Sequence, residues 1–186
     1  MTPVRVSLIR HPDSKGDAIE AIEVAVTRED ANALHLAYNA TGDFARVVLP
    51  ELTASTRADD LWRTTCFEAF ARAQGAKGYF EFNLSPSTRW AAYRFEAYRA
   101  GLTPAEAAPP RIAMTRDPNL LELTATLDLS HIPDFTRRAR LSIALSAVIE
   151  ETDGAMSYWA LTHAPGRPDF HHTDCFALEL DLADLE

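Results

Sequence analysis

Apolar and polar residues alternate with a period of two along most of this chain, the spacing of strands whose successive side chains point to opposite faces. Leu121, Leu123, Ala125, Leu127 and Leu129 interleave with Glu122, Thr124, Thr126 and Asp128. That is a half-buried strand, and a turn at Asp117-Pro118-Asn119 joins it to a shorter strand over residues 111–115 as a hairpin. Within Tyr79–Leu84, Phe80, Phe82 and Leu84 share one face and Tyr79, Glu81 and Asn83 the other. Gly75 and Gly78 bracket a hairpin turn into this strand from one over residues 66–70. Residues 140–150 set Leu141, Ile143, Leu145, Ala147 and Ile149 against Ser142, Ala144, Ser146 and Val148. Further strands are expected over 4–9, 19–27, 34–38, 157–163 and 175–180, although the run AIEAIEVAV also fits a helix. Residues 90–99 fit strand or helix, and their Trp, Tyr and Phe content favours strand.

Turn chemistry separates these segments. It falls at 11–17, at Glu29-Asp30-Ala31-Asn32, at 101–110, at Asp153-Gly154 and over the His- and Asp-rich stretch 164–174, while 50–60 reads as a loop or short helix. The pattern predicts an all-β protein of about 11–12 strands, an antiparallel two-sheet β-sandwich of jelly-roll or immunoglobulin-like type. Residues 1–186 read as a single domain.

Composition narrows the partners. The 186 residues are 47% hydrophobic and 24% charged, with a formal net charge of −9. A chain of that charge repels phosphate, so neither nucleic acid nor an anionic membrane surface is an expected partner. No apolar run approaches the roughly 18 residues of a membrane-spanning helix. The first residues, MTPVRVSLIRHPDSKGD, lack the apolar segment and cleavage site of a signal peptide, which makes the expected location cytoplasmic. Cys66 and Cys175 are then expected as buried thiols, with a disulfide as the alternative.

The polar face of residues 79–84 is either a solvated sheet surface or the floor of a binding site. Glu68, between core-facing Phe67 and Ala69, projects to the same side as Glu81 and Asn83 if the two strands pair. Three readings follow. The carboxylates are solvated and paired with Arg63, Arg89 or Arg94; or they accept hydrogen bonds from a ligand's hydroxyls; or they act as the acid and base of a glycoside hydrolysis. Trp62, Trp90 and Trp159 supply flat rings of the kind that stack on sugars, although a tryptophan is also an ordinary core residue. His163, His171, His172, Asp169 and Asp174 lie close in sequence and offer metal-ligating groups. The adjacent His171–His172 pair does not have the i, i+4 spacing of helical zinc motifs, so a single structural or ligand-contacting histidine is expected and no metal. No GxSxG, P-loop or dinucleotide glycine signature occurs, and Ser85, Ser146 and the cysteines sit in no nucleophile motif.

The segments LWRTTCFEAF, YFEFNLSPSTRWAAYRFEAYR, LSAVIEE, SYWAL and PDFHHTDCFALEL, in that order, resemble a DOMON-like domain of the bacterial branch related to family 9 carbohydrate-binding modules. The resemblance runs from about Leu61 to the C-terminus. It implies a two-sheet sandwich whose concave face or cavity holds a sugar or, in other branches, a haem. It places Trp62, Glu68, Glu81 and Asn83 on the ligand-facing sheet, and Trp159 and the loop to His172 near the rim. Haem-binding members use a Met and a His as axial ligands. Met114 and Met156 match no such motif, so no haem and no other cofactor is expected. The resulting expectation is a non-catalytic binder of a small polar ligand, most plainly a carbohydrate or sugar derivative. Trp62 or Trp159 would stack on it, and Glu68, Glu81, Asn83, Arg63 or Arg94, with His163 and His172, would supply hydrogen bonds. An interaction module that forms a homodimer through the aromatic sheet face is the alternative, followed by a hydrolase or isomerase using the carboxylate pair.

Overall fold

In a computed structural model the period-two segments become twelve strands among the described residues, which are 2–28, 33–132, 135 and 140–180. In chain order these are β1 (Val4–Arg10), β2 (Ile19–Arg28), β3 (Ala33–Gly42), β4 (Cys66–Ala73), β5 (Tyr79–Leu84), β6 (Trp90–Phe95), β7 (Thr103–Pro104), β8 (Arg111–Asp117), β9 (Leu120–Asp128), β10 (Leu141–Glu150), β11 (Met156–Ala160) and β12 (Leu178–Leu180). The turn expected at 29–32 lies outside the described residues. The described helices are single 3₁₀ turns, Phe44–Arg46, Leu61–Arg63 and Thr173–Cys175, none long enough to cross a membrane. The AIEAIEVAV run is strand, since Ile22, Val24 and Val26 are buried while Ala21 and Glu23 face water.

All pairings between named strands are antiparallel, and the strands follow the order β7-β6-β5-β4-β10-β11-β1-β2-β3-β9-β8, with β12 added beside β10. The expected two separate sheets are therefore joined. β1 pairs with β2 through Val4–Leu8 and with β11 through Ile9 and Arg10, so one curled sheet carries both halves. The main core gathers Ile22, Val24, Leu36 and Tyr38 from one half with Phe67, Phe82, Leu84 and Leu145 from the other. The Tyr38 and Phe67 rings lie 5.0 Å apart, and the Tyr38 hydroxyl donates to the Glu68 carbonyl at 2.7 Å. Burial pushes the Tyr38 phenol well above its ordinary range, so it remains a donor. That bond ties the backbone of β4 to β3 at the residue whose side chain points the other way.

The β4–β5 hairpin closes where the sequence placed it. Gly75 has φ +81°, a left-handed conformation that side-chain-bearing residues rarely adopt. A Cβ on Gly78 would stand 2.6 Å from the Phe95 carbonyl, so only glycine lets β6 end this close to the start of β5. Three expected strands are shorter or shifted. The 157–163 strand stops at Ala160, residues 175–177 belong to the 3₁₀ turn and its exit, and residues 96–99 turn away from β6. The run Val47–Leu49 forms no strand, and Val47 makes one isolated bridge to Glu151. Cys66 and Cys175 are both buried and both free thiols.

Candidate functional site

Strands β4, β5 and β10 are buried on both faces, which ordinary alternation does not predict. Phe67, Ala69, Phe80, Phe82 and Leu84 enter the main core. On the opposite face Phe70, Tyr79, Phe95, Ala144, Cys175 and Phe176 form a second, smaller cluster. Tyr79 stacks on Phe95 at 4.7 Å, and Phe70 meets Phe176 edge-on at 6.3 Å. The cover comes from the loop after β11. The Cys175 thiol donates to the carbonyls of Thr162 and Asp169, both at 3.3 Å, which holds this loop in a closed bend over the sheet.

Beside that cover the same face opens into a cleft of about 880 Å³. Its floor is Glu68 of β4 and Glu81 of β5, with Tyr93 and Phe95 of β6 and Val148 and Tyr158 of β10 and β11 around them. Three loops make the walls: Arg57, Asp59, Asp60 and Trp62 on one side, Arg99, Leu102 and Pro104 on another, and Arg167, Pro168, Phe170 and His171 on the third. Two of the three non-glycine residues with positive φ among the described residues, Asp60 (61°) and Arg99 (51°), belong to these walls. Strained backbone of this kind gathers where loops are shaped around a site.

The floor is a buried polar row. Pairing register sets Glu68 opposite Ser146 on one side and opposite Asn83 on the other. The Ser146 hydroxyl donates to Glu68 Oε2 at 3.0 Å, and the Asn83 amide donates to Glu81 Oε1 at 2.6 Å. Glu68 is 3% exposed and Glu81 6%. Burial, reinforced by the Glu81 charge, pushes the Glu68 carboxyl up to about 8, and burial also raises Glu81 against the opposing pull of Asn83 and Arg99. His171 Nε2 stands 3.8 Å from Glu81 Oε2, while its Nδ1 lies 2.8 Å from the Tyr79 hydroxyl. The same hydroxyl accepts the Arg99 backbone N–H at 3.2 Å. Burial, with the nearby Arg99, lowers His171 to about 4, so the ring is neutral at pH 7. Asp169 anchors the corner: it accepts from Arg99 Nη2 at 2.6 Å, from the His171 backbone N–H at 3.1 Å and from the Tyr98 hydroxyl. On the facing wall the Tyr93 hydroxyl donates to Asp59 at 2.6 Å, and Arg57 pairs with the same carboxylate at 3.0 Å.

The structure brings some of the expected residues together and separates the rest. Trp62, Glu68 and Glu81 line the cleft, and Asn83 is buried behind it as the partner of Glu81. Arg63 lies over the Trp62 ring at 4.8 Å and pairs with Asp60, and it does not line the cleft. Arg94 pairs across the sheet with Phe80, a core-side residue, and therefore points away from the cleft; Arg99 occupies the expected cationic place. Trp159 belongs to the main core, with its indole N–H donating to Ser157, and its neighbour Tyr158 faces the cleft. His163 Nε2 donates to the Ile9 carbonyl at 2.7 Å, and burial lowers its pKa. His172 caps the 3₁₀ turn by accepting the Asp174 N–H, and His171 takes the place in the cleft. For Tyr158 the signal was available one position away, because adjacent residues in a strand face opposite sides; His171 is placed by the turn that closes with the His172 N–H on the Asp169 carbonyl.

No known protein family's sequence profile and no curated protein matches the chain. Solved structures do. One is a candidate carbohydrate-binding protein from Bacteroides uniformis, 14% identical, with a TM-score of 0.69 over 93% of this chain and 84% of that one. The fold is like that of a carbohydrate-binding module. A family 9 carbohydrate-binding module from Caldicellulosiruptor kristjanssonii, solved in complex with glucose, is 12% identical, with a TM-score of 0.50 over 87% of this chain and 75% of that one.

Proposed function

We propose that this protein binds a small carbohydrate or sugar derivative in the cleft above Glu68 and Glu81 and does no chemistry on it. One observation carries the reading. Aromatic rings from four separate elements, Trp62, Tyr93, Tyr158 and Phe170, surround a floor of buried, hydrogen-bonding carboxyl groups. Flat rings suit the apolar faces of a pyranose, and the polar floor suits its hydroxyls. The cleft volume lies within the range of small-molecule sites. The neighbouring folds, one described as a candidate carbohydrate-binding protein and one holding glucose, support the same reading, as does the resemblance to the DOMON-like branch. The non-catalytic part of the reading is supported by the neighbouring folds, which are described by their carbohydrate binding.

A thermal-shift screen against mono- and disaccharides tests the proposal. A ligand that binds only the folded state stabilises it by about 2.7 kcal/mol at a hundredfold excess over its dissociation constant. A hit that disappears in Trp62→Ala and Tyr158→Ala supports the cleft as the site. Hits that survive both changes place the sugar elsewhere and end the assignment.

A further inference from the structure

The floor of the cleft has acceptors to spare. Glu68 uses Oε2 for Ser146 and Glu81 uses Oε1 for Asn83; Glu68 Oε1 and Glu81 Oε2 make no hydrogen bond among the described residues. Among the described residues, the only group within ion-pair distance of either carboxyl is His171, which is neutral. The cationic side chains on the walls are committed elsewhere, Arg57 to Asp59 and Arg99 to Asp169, and Arg167 is at the exposed rim. Two side chains more than nine-tenths buried thus each present a free oxygen to open space. The rings of Tyr93, Tyr158 and Phe170 line the same cleft, and aromatic rings attract a cation.

From this arrangement we infer that the ligand is a sugar bearing a free basic amine, with its ammonium seated against the Glu68 and Glu81 carboxyl groups inside the aromatic walls. The inference rests on the sugar-binding reading and names the substrate class of the same site. An ammonium supplies three donors, enough to engage both free oxygens. It would also favour the ionised form of both carboxyls, which burial opposes in the empty cleft. The other titratable or charged groups near the pair are Cys66, Tyr79, Tyr93, Arg99 and His171, with Tyr38 behind the sheet on its core side. Burial raises the four hydroxyl and thiol groups, which remain uncharged near pH 7, and His171 is neutral, so Glu68 and Glu81 are the groups on this floor that an ammonium would draw into ionised form.

Isothermal titration at pH 7 with glucosamine, galactosamine, glucose, N-acetylglucosamine, glucuronate and cyclohexylamine decides it. The expected result is that the free amino sugars bind at least about tenfold tighter than glucose and N-acetylglucosamine, the latter being the same sugar with its amine neutralised. Glu81→Gln and, as a second variant should that one not fold, Glu68→Gln should abolish the preference of the free amino sugars over glucose and N-acetylglucosamine, whatever either change does to binding of the neutral sugars themselves. Equal affinity for glucose and glucosamine, or a preference for glucuronate, overturns the inference and leaves the sugar reading standing. Binding of cyclohexylamine with no sugar binding keeps the amine and overturns the sugar. Absence of binding by the whole set to folded protein overturns both.

Discussion

Strands β2, β3 and β9 and strands β4, β5 and β10 belong to one curled sheet, yet the two groups treat their outer faces differently. In the first group every second side chain is buried and those between are exposed or half-buried, as in Ile22, Glu23, Val24 or Leu123, Thr124, Ala125. In the second group nearly every position is buried, and the outward side chains are Glu68, Phe70, Tyr79, Glu81, Asn83 and Ser146. The first half needs one apolar face because water satisfies the other. The second half is covered twice, by the core beneath and by the loops carrying Arg99 and His171 above. Polar residues held under that second cover keep their hydrogen-bonding capacity without free access to bulk water, which is the condition for selective recognition.

The contrast can be broken most severely where the doubly covered half is emptied. Phe70→Ala, on the outward face of β4, should cost about 3–5 kcal/mol in chemical denaturation, as much as the core change Trp159→Ala. Glu23→Ala, on the outward face of β2, should stay within about 0.5 kcal/mol. A small effect for Phe70→Ala would mean that the 164–177 cover is not a packed layer.

Stability against pH sharpens the comparison next. Glu68 and Glu81 keep protons in the fold that the unfolded chain releases near 4.5, so their burial lowers stability as pH rises through that value and on to about 8 for Glu68. His171, held down to about 4, and His163, also lowered, act in the opposite sense below 6.5, where the unfolded chain binds the extra protons. The fall should therefore emerge between pH ~6.5 and ~8, with a slope from Glu68 of at most about 1.4 kcal/mol per pH unit. Glu68→Gln should flatten it in urea melts taken at stepped pH. A wild-type curve already flat over that range would show that the floor carboxyls are ionised in the free protein.

Smaller effects separate binding from folding. Trp62 is 46% exposed, so Trp62→Ala should leave stability within about 1 kcal/mol while weakening a sugar ligand by about tenfold. Arg94→Ala, on the far face of β6, should change neither ligand affinity nor stability by more than about 0.5 kcal/mol. A binding defect in Arg94→Ala would contradict the register of β5 against β6.

Much of this was legible in the chain. The alternation of Phe80, Phe82 and Leu84 against Tyr79, Glu81 and Asn83 survived intact, as did the Gly75 hairpin that sets Glu68 on the same side. The two acidic residues were found because each interrupts an apolar run at a fixed phase. The aromatic and cationic partners were not, because their choice depends on register and on loop paths. Trp159 drew attention by size, but the phase of β11 against β10 puts Ala147 beside it in the core and Val148 beside Tyr158 in the cleft. Arg94 was expected as a hydrogen-bond donor to the ligand, whereas the pairing of Glu81 with Tyr93 sends it to the other face.

What the sequence determined by itself is local: strand positions, the hairpin glycines and which side chains of one strand share a face, since a period of two is a property of the extended backbone alone. Tertiary structure alone decided that β1 would join both halves into one sheet and that the segment after β11 would fold back over it. It also decided that Arg99, Tyr158, Phe170 and His171 would meet Glu68 and Glu81. Those contacts join residues distant in the chain, and the free energy that selects them lies in burying the Phe70–Tyr79–Phe176 cluster and satisfying Asp169, terms that no short stretch of sequence carries.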